Sequence, residues 1–163
     1  MVDKLKTDSK MVEVGSWMGK SISYFVIESI LKNKNIKCTC VDIWEPYNEI
    51  PDHPIHENDG AYKKFLYNTS KIKQFITPIK GKSTDVSTQF NDEEFDFIFI
   101  DAAHDYDNVY NDIKFWAPKL KKGGIIGGHD YYDNNDVVRA VKTFFDGYNI
   151  KINGPCWYIE NFI

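Results

Sequence analysis

Phe95-Asp96-Phe97-Ile98-Phe99-Ile100-Asp101-Ala102-Ala103-His104 is the stretch from which the rest of the chain can be read. Residues 95–100 form a near-continuous apolar run, the pattern of a strand covered on both faces. An acid and a histidine follow at the point where such a strand runs out. A strand of this kind belongs inside a sheet that carries helices on either side, so the segment is predicted to be the central strand of an α/β fold. The same alternation of short apolar runs with helical periodicity extends in both directions. Upstream, Met11-Val12-Glu13-Val14 reads as a strand ended by Gly15, and Ile22, Phe25, Val26 and Ile30 mark a helix from Lys20 to the polar stretch Lys32-Asn33-Lys34-Asn35. Ile36 to Ile43 reads as a second strand, Gly60 to about Ser70 as a helix, Phe75 to Ile79 as a third strand and Thr84 to Phe90 as a short helical connection. Downstream, Val109, Ile113, Trp116, Ala117 and Leu120 repeat at helical spacing. Lys119, Lys121 and Lys122 gather where they suit a helix C-terminus before Gly123-Gly124. Ile125-Ile126 is then a short strand, Val137, Val141, Phe144 and Phe145 share a helix face, and Tyr148–Ile152 and Cys156–Ile163 close the chain as a strand pair. The expectation is one domain over residues 1–163: a mostly parallel seven-stranded sheet, helices on both faces, and an antiparallel C-terminal pair.

Composition agrees with a single core. The chain has 163 residues, 42% of them hydrophobic, with 24 acidic and 20 basic side chains and a net charge of −4. An acidic balance without a run of Lys or Arg speaks against nucleic acid as the partner, because phosphate neutralisation needs clustered cations. No apolar stretch is long enough for a membrane span and the N-terminus has no signal-peptide pattern, so a soluble cytoplasmic protein with reduced thiols is expected. Cys38 and Cys40 fall on one face of the second strand. They could form half of a zinc site, but no second Cys or His pair follows at a suitable spacing, and core packing is the expectation.

In open parallel sheets the ligand sits beyond the carboxyl ends of the strands, which directs attention to the strand tips. The first strand runs into Glu13-Val14-Gly15-Ser16-Trp17-Met18-Gly19-Lys20-Ser21, a glycine turn leading to a helix. The spacing is neither the Gly-x-Gly-x-x-Gly of dinucleotide folds nor that of a P-loop, which disfavours a nicotinamide-dependent oxidoreductase. The second strand ends Val41-Asp42-Ile43-Trp44, where an acid can accept hydrogen bonds from both ribose hydroxyls and an aromatic can flank an adenine. Ser83, in Gly81-Lys82-Ser83-Thr84-Asp85, adds a short polar group at the same edge, as a base contact or a helix cap. Asp101 and Asp130, at the tips of two strands expected to be neighbours about 5 Å apart, could converge on a hard cation such as Mg²⁺, with His104 as a base. His53 and His56 stand three apart in the proline-containing loop 44–59 and could be read as ligands, but a solvated segment is the expectation, in a loop whose length suits a functional segment or a lid rather than a mere connector.

Together, Glu13-Val14-Gly15 through Gly19-Lys20-Ser21, Val41-Asp42-Ile43-Trp44, Phe95 through Tyr106, and Leu120 through Gly124 leading to Gly128-His129-Asp130-Tyr131 resemble the class I S-adenosylmethionine-dependent methyltransferases. The closest resemblance is to the small-molecule group called methyltransferase family 24, from about Val12 to Tyr131. The resemblance implies a Rossmann-like fold and S-adenosylmethionine as cofactor. It implies that Glu13, Gly15, Ser16, Trp17, Gly19 and Ser21 surround the methionine part, that Asp42 with Ile43 and Trp44 meets the ribose and its surroundings, and that Ser83 lies near the adenine. Asp101 borders the same site. In similar metal-dependent O-methyltransferases, acids at the fourth and fifth strand tips bind magnesium, which carries over to Asp101 and Asp130. The histidine three beyond the first acid is matched by His104 as general base. His129-Asp130 departs from relatives that have two carboxyl or amide ligands there. The implied acceptor is a small molecule or a sugar hydroxyl. About ten residues precede the first strand where many relatives carry covering helices, so the acceptor is expected to be enclosed by loop 44–59, by a partner subunit in a homo-oligomer, or not at all. The other reading is an S-adenosylmethionine-binding interaction module without methyl transfer.

Overall fold

The computed structural model describes residues 1–45, 59–132 and 134–162. Along the chain the elements are β1 (Lys10–Val14), α1 (Lys20–Leu31), β2 (Lys37–Asp42), α2 (Gly60–Thr69), β3 (Ile76–Lys80), α3 (Ser83–Ser87), β4 (Phe95–Ile100), α4 (Tyr106–Trp116), β5 (Leu120–Gly128), α5 (Asn135–Phe144), β6 (Lys151–Asn153) and β7 (Cys156–Glu160). The strands form one seven-stranded sheet in the order β3-β2-β1-β4-β5-β7-β6, so the apolar run 95–100 takes the middle place. Strands β1 to β5 pair in parallel, and β7 runs antiparallel to both β5 and β6.

Strand alternation divides the core in two. Val12, Val14, Ile98, Ile100 and Ile126 point to the face covered by α3, α4 and α5, where they meet Val86, Ile113, Trp116 and Val141. Met11, Cys38, Cys40, Phe97 and Ile125 point to the opposite face, against Ile22 and Val26 of α1 and Phe65 of α2. The two thiols of β2 are therefore core groups, and burial pushes that of Cys38 up to about 12. On helix α1 the burial stops short of the expected face: Ile30 is exposed, and Ser29, whose hydroxyl donates to Lys34 O at 2.6 Å, is buried in its place. Of the described residues, no helix is long and apolar enough to cross a membrane.

One stretch folds differently from its periodicity. Leu120 and Gly123-Gly124 lie inside β5, which has nine residues rather than the short Ile125-Ile126 run. Pro118 cannot continue a helix, so α4 stops at Trp116 and a 3-10 turn over Ala117–Lys119 leads directly into the strand. Gly123, at φ +75°, absorbs an irregularity in which the register moves from Phe95↔Leu120 to Phe97↔Ile125. Two of the lysines read as helix-terminal charges instead form ion pairs beside β4, Lys121 with Asp96 at 2.8 Å and Lys119 with Asp92 at 2.7 Å.

Candidate active site

From β1 the chain goes outward through β2 to β3, then returns to the other side of β1 as β4. The sheet thus changes direction between β1 and β4, and the tips of these two strands frame the crevice in which such folds bind ligands. Gly15 stands there at φ +92°, donating its N–H to Val41 O at 2.8 Å. A Cβ at this position would lie 2.0 Å from Asp101 O, so only glycine lets the turn close against the tip of β4. Gly19, at φ +78°, begins α1, and Asn68 of α2 holds the turn from outside by donating Nδ2–H to Met18 O at 2.8 Å.

Glu13 lies behind this turn, 1% exposed, and neither of its carboxylate oxygens completes a hydrogen bond among the described residues. The Ser16 Oγ is likewise buried without a partner. Burial raises the Glu13 carboxyl to about 7; the Ser21 and Ser16 hydroxyls stand near enough to oppose that rise, while Asp101 and Asp42 add to it. A carboxylate at this depth without a completed hydrogen bond is costly, and a cationic group beside it would offset that cost. The sign of its pH effect follows. The unfolded chain releases this proton near 4.5 and the folded protein near 7, so the native state holds more protons between those values and stability falls as pH rises through the window. The ligand-free protein is expected to lose about 3 kcal/mol from this group between pH 4.5 and 8. Asp101 and Asp112, both raised to about 6 chiefly by burial, add slopes of the same sign. Urea unfolding at a series of pH values checks this: Glu13→Gln should flatten the profile, and an unchanged slope would show that the buried carboxyl is already ionised.

At the tip of β2, Asp42 is clamped in place. Its Oδ2 accepts the Trp17 N–H at 2.7 Å and its Oδ1 accepts the Trp44 N–H at 2.6 Å. Trp44 itself is not at the ligand surface. It is 2% exposed, packs on Tyr62 and Phe65 at centroid distances of 4.7 and 4.9 Å, and donates Nε1–H to Trp17 O at 2.6 Å. Its work is to tie the glycine turn to β2, and the apolar groups left at this rim are Ile43 and Trp17, both exposed. Ser83 is turned inward too: its Oγ accepts Trp116 Nε1–H at 2.8 Å and lies against the buried Asp112 carboxyl. Asp112 was missed in the sequence, although a polar residue on the Val109–Ile113–Trp116 face of α4 is its signal.

The tips of β4 and β5 bring Asp101, His104 and Asp130 together. One ligand atom from each lies within 4.8 Å of the others. His104 Nε2 is 2.9 Å from Asp130 Oδ2, and His129 Nδ1 is 3.0 Å from Asp130 Oδ1 and 3.9 Å from Asp101 Oδ1. Asp130 adopts a left-handed φ of +58°, which aims its carboxylate back between the two histidines. Asp101 is raised to about 6 by burial foremost; His129 and His104 oppose the rise and the neighbouring Asp130 charge adds to it. Two half-buried acids and a histidine converging in this way form a donor set that fits a divalent cation, because carboxylate oxygens and imidazole nitrogen are its usual ligands. Trp157 of β7 borders this cluster, and the neighbouring Cys156 thiol is raised first by burial, with the Asp101 and Asp130 charges adding to it. Neither has a local sequence signal; the β5–β7 pairing puts them there. His53, His56 and most of loop 44–59 lie outside the described residues.

A doubly wound sheet with this switch-point turn and an acid at the second strand tip has the architecture of class I S-adenosylmethionine-dependent methyltransferases. The sequence model of methyltransferase family 24, described as a methyltransferase domain, matches residues 12–131, and the chain belongs to that family. A search of curated proteins by sequence gives no match. Among solved structures, the O-methyltransferase NovP is 14% identical with a TM-score of 0.72, covering 96% of this chain and 73% of its own. A Streptococcus mutans protein described as a candidate methyltransferase, solved with SAH, is 14% identical with a TM-score of 0.66, covering 99% of this chain and 93% of its own. A candidate sarcosine dimethylglycine methyltransferase from Galdieria sulphuraria is 19% identical with a TM-score of 0.56 over 80% of this chain, which spans only 42% of that protein. These likenesses extend the fold across the C-terminal strand pair, and the family match makes residues 12–131 a methyltransferase domain of the S-adenosylmethionine-dependent class.

Proposed function

We propose that the protein methylates a hydroxyl oxygen of a small molecule or sugar, with His104 as general base and a divalent cation such as Mg²⁺ held by Asp101 and Asp130. The convergence of Asp101, His104 and Asp130 beside the glycine turn carries this reading, since Gly15 abuts the backbone of Asp101 itself. Glu13 and Ser21 receive the polar end of the methionine arm, and Asp42 takes the ribose hydroxyls. With Ser83 facing inward, the backbone of its loop rather than its hydroxyl lies toward the adenine. The cofactor's sulfonium methyl is already activated, so the protein has to align an acceptor oxygen with it and take a proton. Asp130 orients the His104 ring through the 2.9 Å contact. Asp101 and Asp130 would hold the cation, which when bound would supply Lewis acidity toward an acceptor hydroxyl.

The test is conversion of S-adenosylmethionine to S-adenosylhomocysteine with a panel of phenols and sugars, in Mg²⁺ and in chelator. Product should form only with an acceptor and fall by about 10²-fold or more in chelator, on the order of what one positioned catalytic group supplies. Calorimetry should also show Mg²⁺ binding that Asp101→Asn and Asp130→Asn each abolish. Acceptor-dependent turnover unaffected by chelator and by both substitutions would remove the cation from the reading.

A further inference from the structure

Helices α1 and α2 cover the β1–β3 side of their face of the sheet, and beyond them a cavity of about 210 Å³ opens over β4, β5 and β7. The Asp101–His104–Asp130 cluster lies toward the other face, where Val109 of α4 and Val137 of α5 line it. The body of the cavity is aromatic: Phe97 and Phe99 from β4, Tyr158 from β7, and Phe25 of α1, stacked on Phe97 at a centroid distance of 5.8 Å. At one end stands Glu13, 1% exposed and the one charged side chain of the lining, with the Ser21 hydroxyl near it. Neither Glu13 oxygen completes a hydrogen bond among the described residues. Lys4 and Lys151 rest over the Tyr158 ring, 5.5 and 5.9 Å from its centroid, but both are paired with Glu160 rather than with Glu13.

We infer that this cavity is a regulatory binding site for a small organic ammonium ion with a flat apolar body, separate from the His104 cluster, and that its occupant competes with the cofactor for the charge of Glu13. A buried carboxylate without a partner is costly, and a neutral donor fills one lone pair while leaving the charge uncompensated. An ammonium group does both, with the Ser21 oxygen as a second acceptor. The ring faces of Phe97 and Phe99 attract the same positive charge and stack on a flat body. An anionic ligand is repelled by Glu13, and a polyhydroxylated one leaves hydroxyls without partners against the aromatic wall. A cavity of about 150 Å³ accepts a benzene ring, so this one has room for a ring with a short amine-bearing chain. The competition, though not the cavity itself, rests on the reading above in which Glu13 and Ser21 receive the methionine arm. A first cation neutralises the carboxylate, so a second gains less from it, and the loss is the same in whichever order the two bind.

The test uses the full chain and two probes of nearly the same shape, 2-phenylethylamine, a cation at neutral pH, and 2-phenylethanol, each titrated by calorimetry with and without saturating S-adenosylhomocysteine. The amine should bind at least about tenfold more tightly than the alcohol. Glu13→Gln should remove that preference. Phe99→Ala, which takes away part of the stacking surface, should weaken the amine about fivefold, and serves alone if Glu13→Gln does not fold. Bound S-adenosylhomocysteine, which carries the same methionine arm as the cofactor, should weaken the amine at least about fivefold. Alcohol binding as tight as that of the amine, or amine binding indifferent to both substitutions, overturns the site while leaving the cofactor reading intact. Amine binding that saturating S-adenosylhomocysteine leaves unchanged overturns the competition. Failure of S-adenosylhomocysteine to bind, with the amine still preferred to the alcohol and the preference still lost in Glu13→Gln, overturns the cofactor reading and keeps the ammonium site.

Discussion

Asp42→Ala is expected to weaken S-adenosylmethionine binding by about 100-fold or more. A charge-assisted hydrogen bond contributes about 1.5–3 kcal/mol, and a ribose presents two hydroxyls to this carboxylate, so losing both costs at least about 3 kcal/mol. A carboxylate has acceptor sites for about four hydrogen bonds, and the Trp17 and Trp44 N–H groups occupy one on each oxygen while fixing its direction. The substitution also frees the Trp17 N–H, which lies at a residue held at φ +37°, so a slackened glycine turn adds to the loss. Calorimetry measures the affinity, and a thermal melt of the ligand-free protein separates it from unfolding. Asp42→Asn, which keeps one acceptor oxygen, should fall between. Affinity within threefold of the parent in a folded Asp42→Ala protein would remove Asp42 from the cofactor site and with it the orientation proposed for the methionine arm.

What was legible in the sequence was what one element specifies on its own. The run 95–100 announces a strand covered on both sides, and it lies in the middle of the sheet, where all of its residues but Asp96 are apolar. Gly15 and Asp101 were readable as tips, since apolar runs end there. Properties that depend on a second element were less so. Trp44 reads as an exposed aromatic at a strand end, yet Tyr62 and Phe65, some twenty residues on, bury it. Leu120 satisfies a helical period equally well as a strand position, and it is Pro118 together with pairing to Phe95 that decides for the strand. The Asp101–Asp130 convergence was expected from adjacent strands, but the placing of Asp130 against His104 depends on a left-handed residue whose identity, aspartate, does not require it. The cavity of about 210 Å³ that Phe25, Phe99 and Tyr158 line had no local signal at all, since these residues come from three elements and look like ordinary core until the sheet is assembled.

His104→Ala separates the chemistry from the binding. On the proposed reading His104 makes no contact with the cofactor, so affinity for S-adenosylmethionine should stay within about twofold. Turnover should fall by about 10²–10⁴, the usual contribution of a positioned base. The neighbouring groups are poor substitutes: Asp101 faces His129 as well as His104, and Asp130 is already engaged by both imidazoles, at 2.9 and 3.0 Å. If His104 acts by taking a proton, free imidazole should restore part of the turnover to His104→Ala, because the truncated side chain leaves room for it beside Asp130. Asp130→Asn should lower turnover while retaining the ring but not its orienting charge, and imidazole should not rescue that variant. Were His104 instead a cation ligand only, His104→Ala would lose Mg²⁺ affinity in the same calorimetric titration, and Mg²⁺ in excess rather than imidazole would recover the rate. Equal loss of cofactor affinity and turnover, or turnover unchanged, would remove His104 from proton transfer.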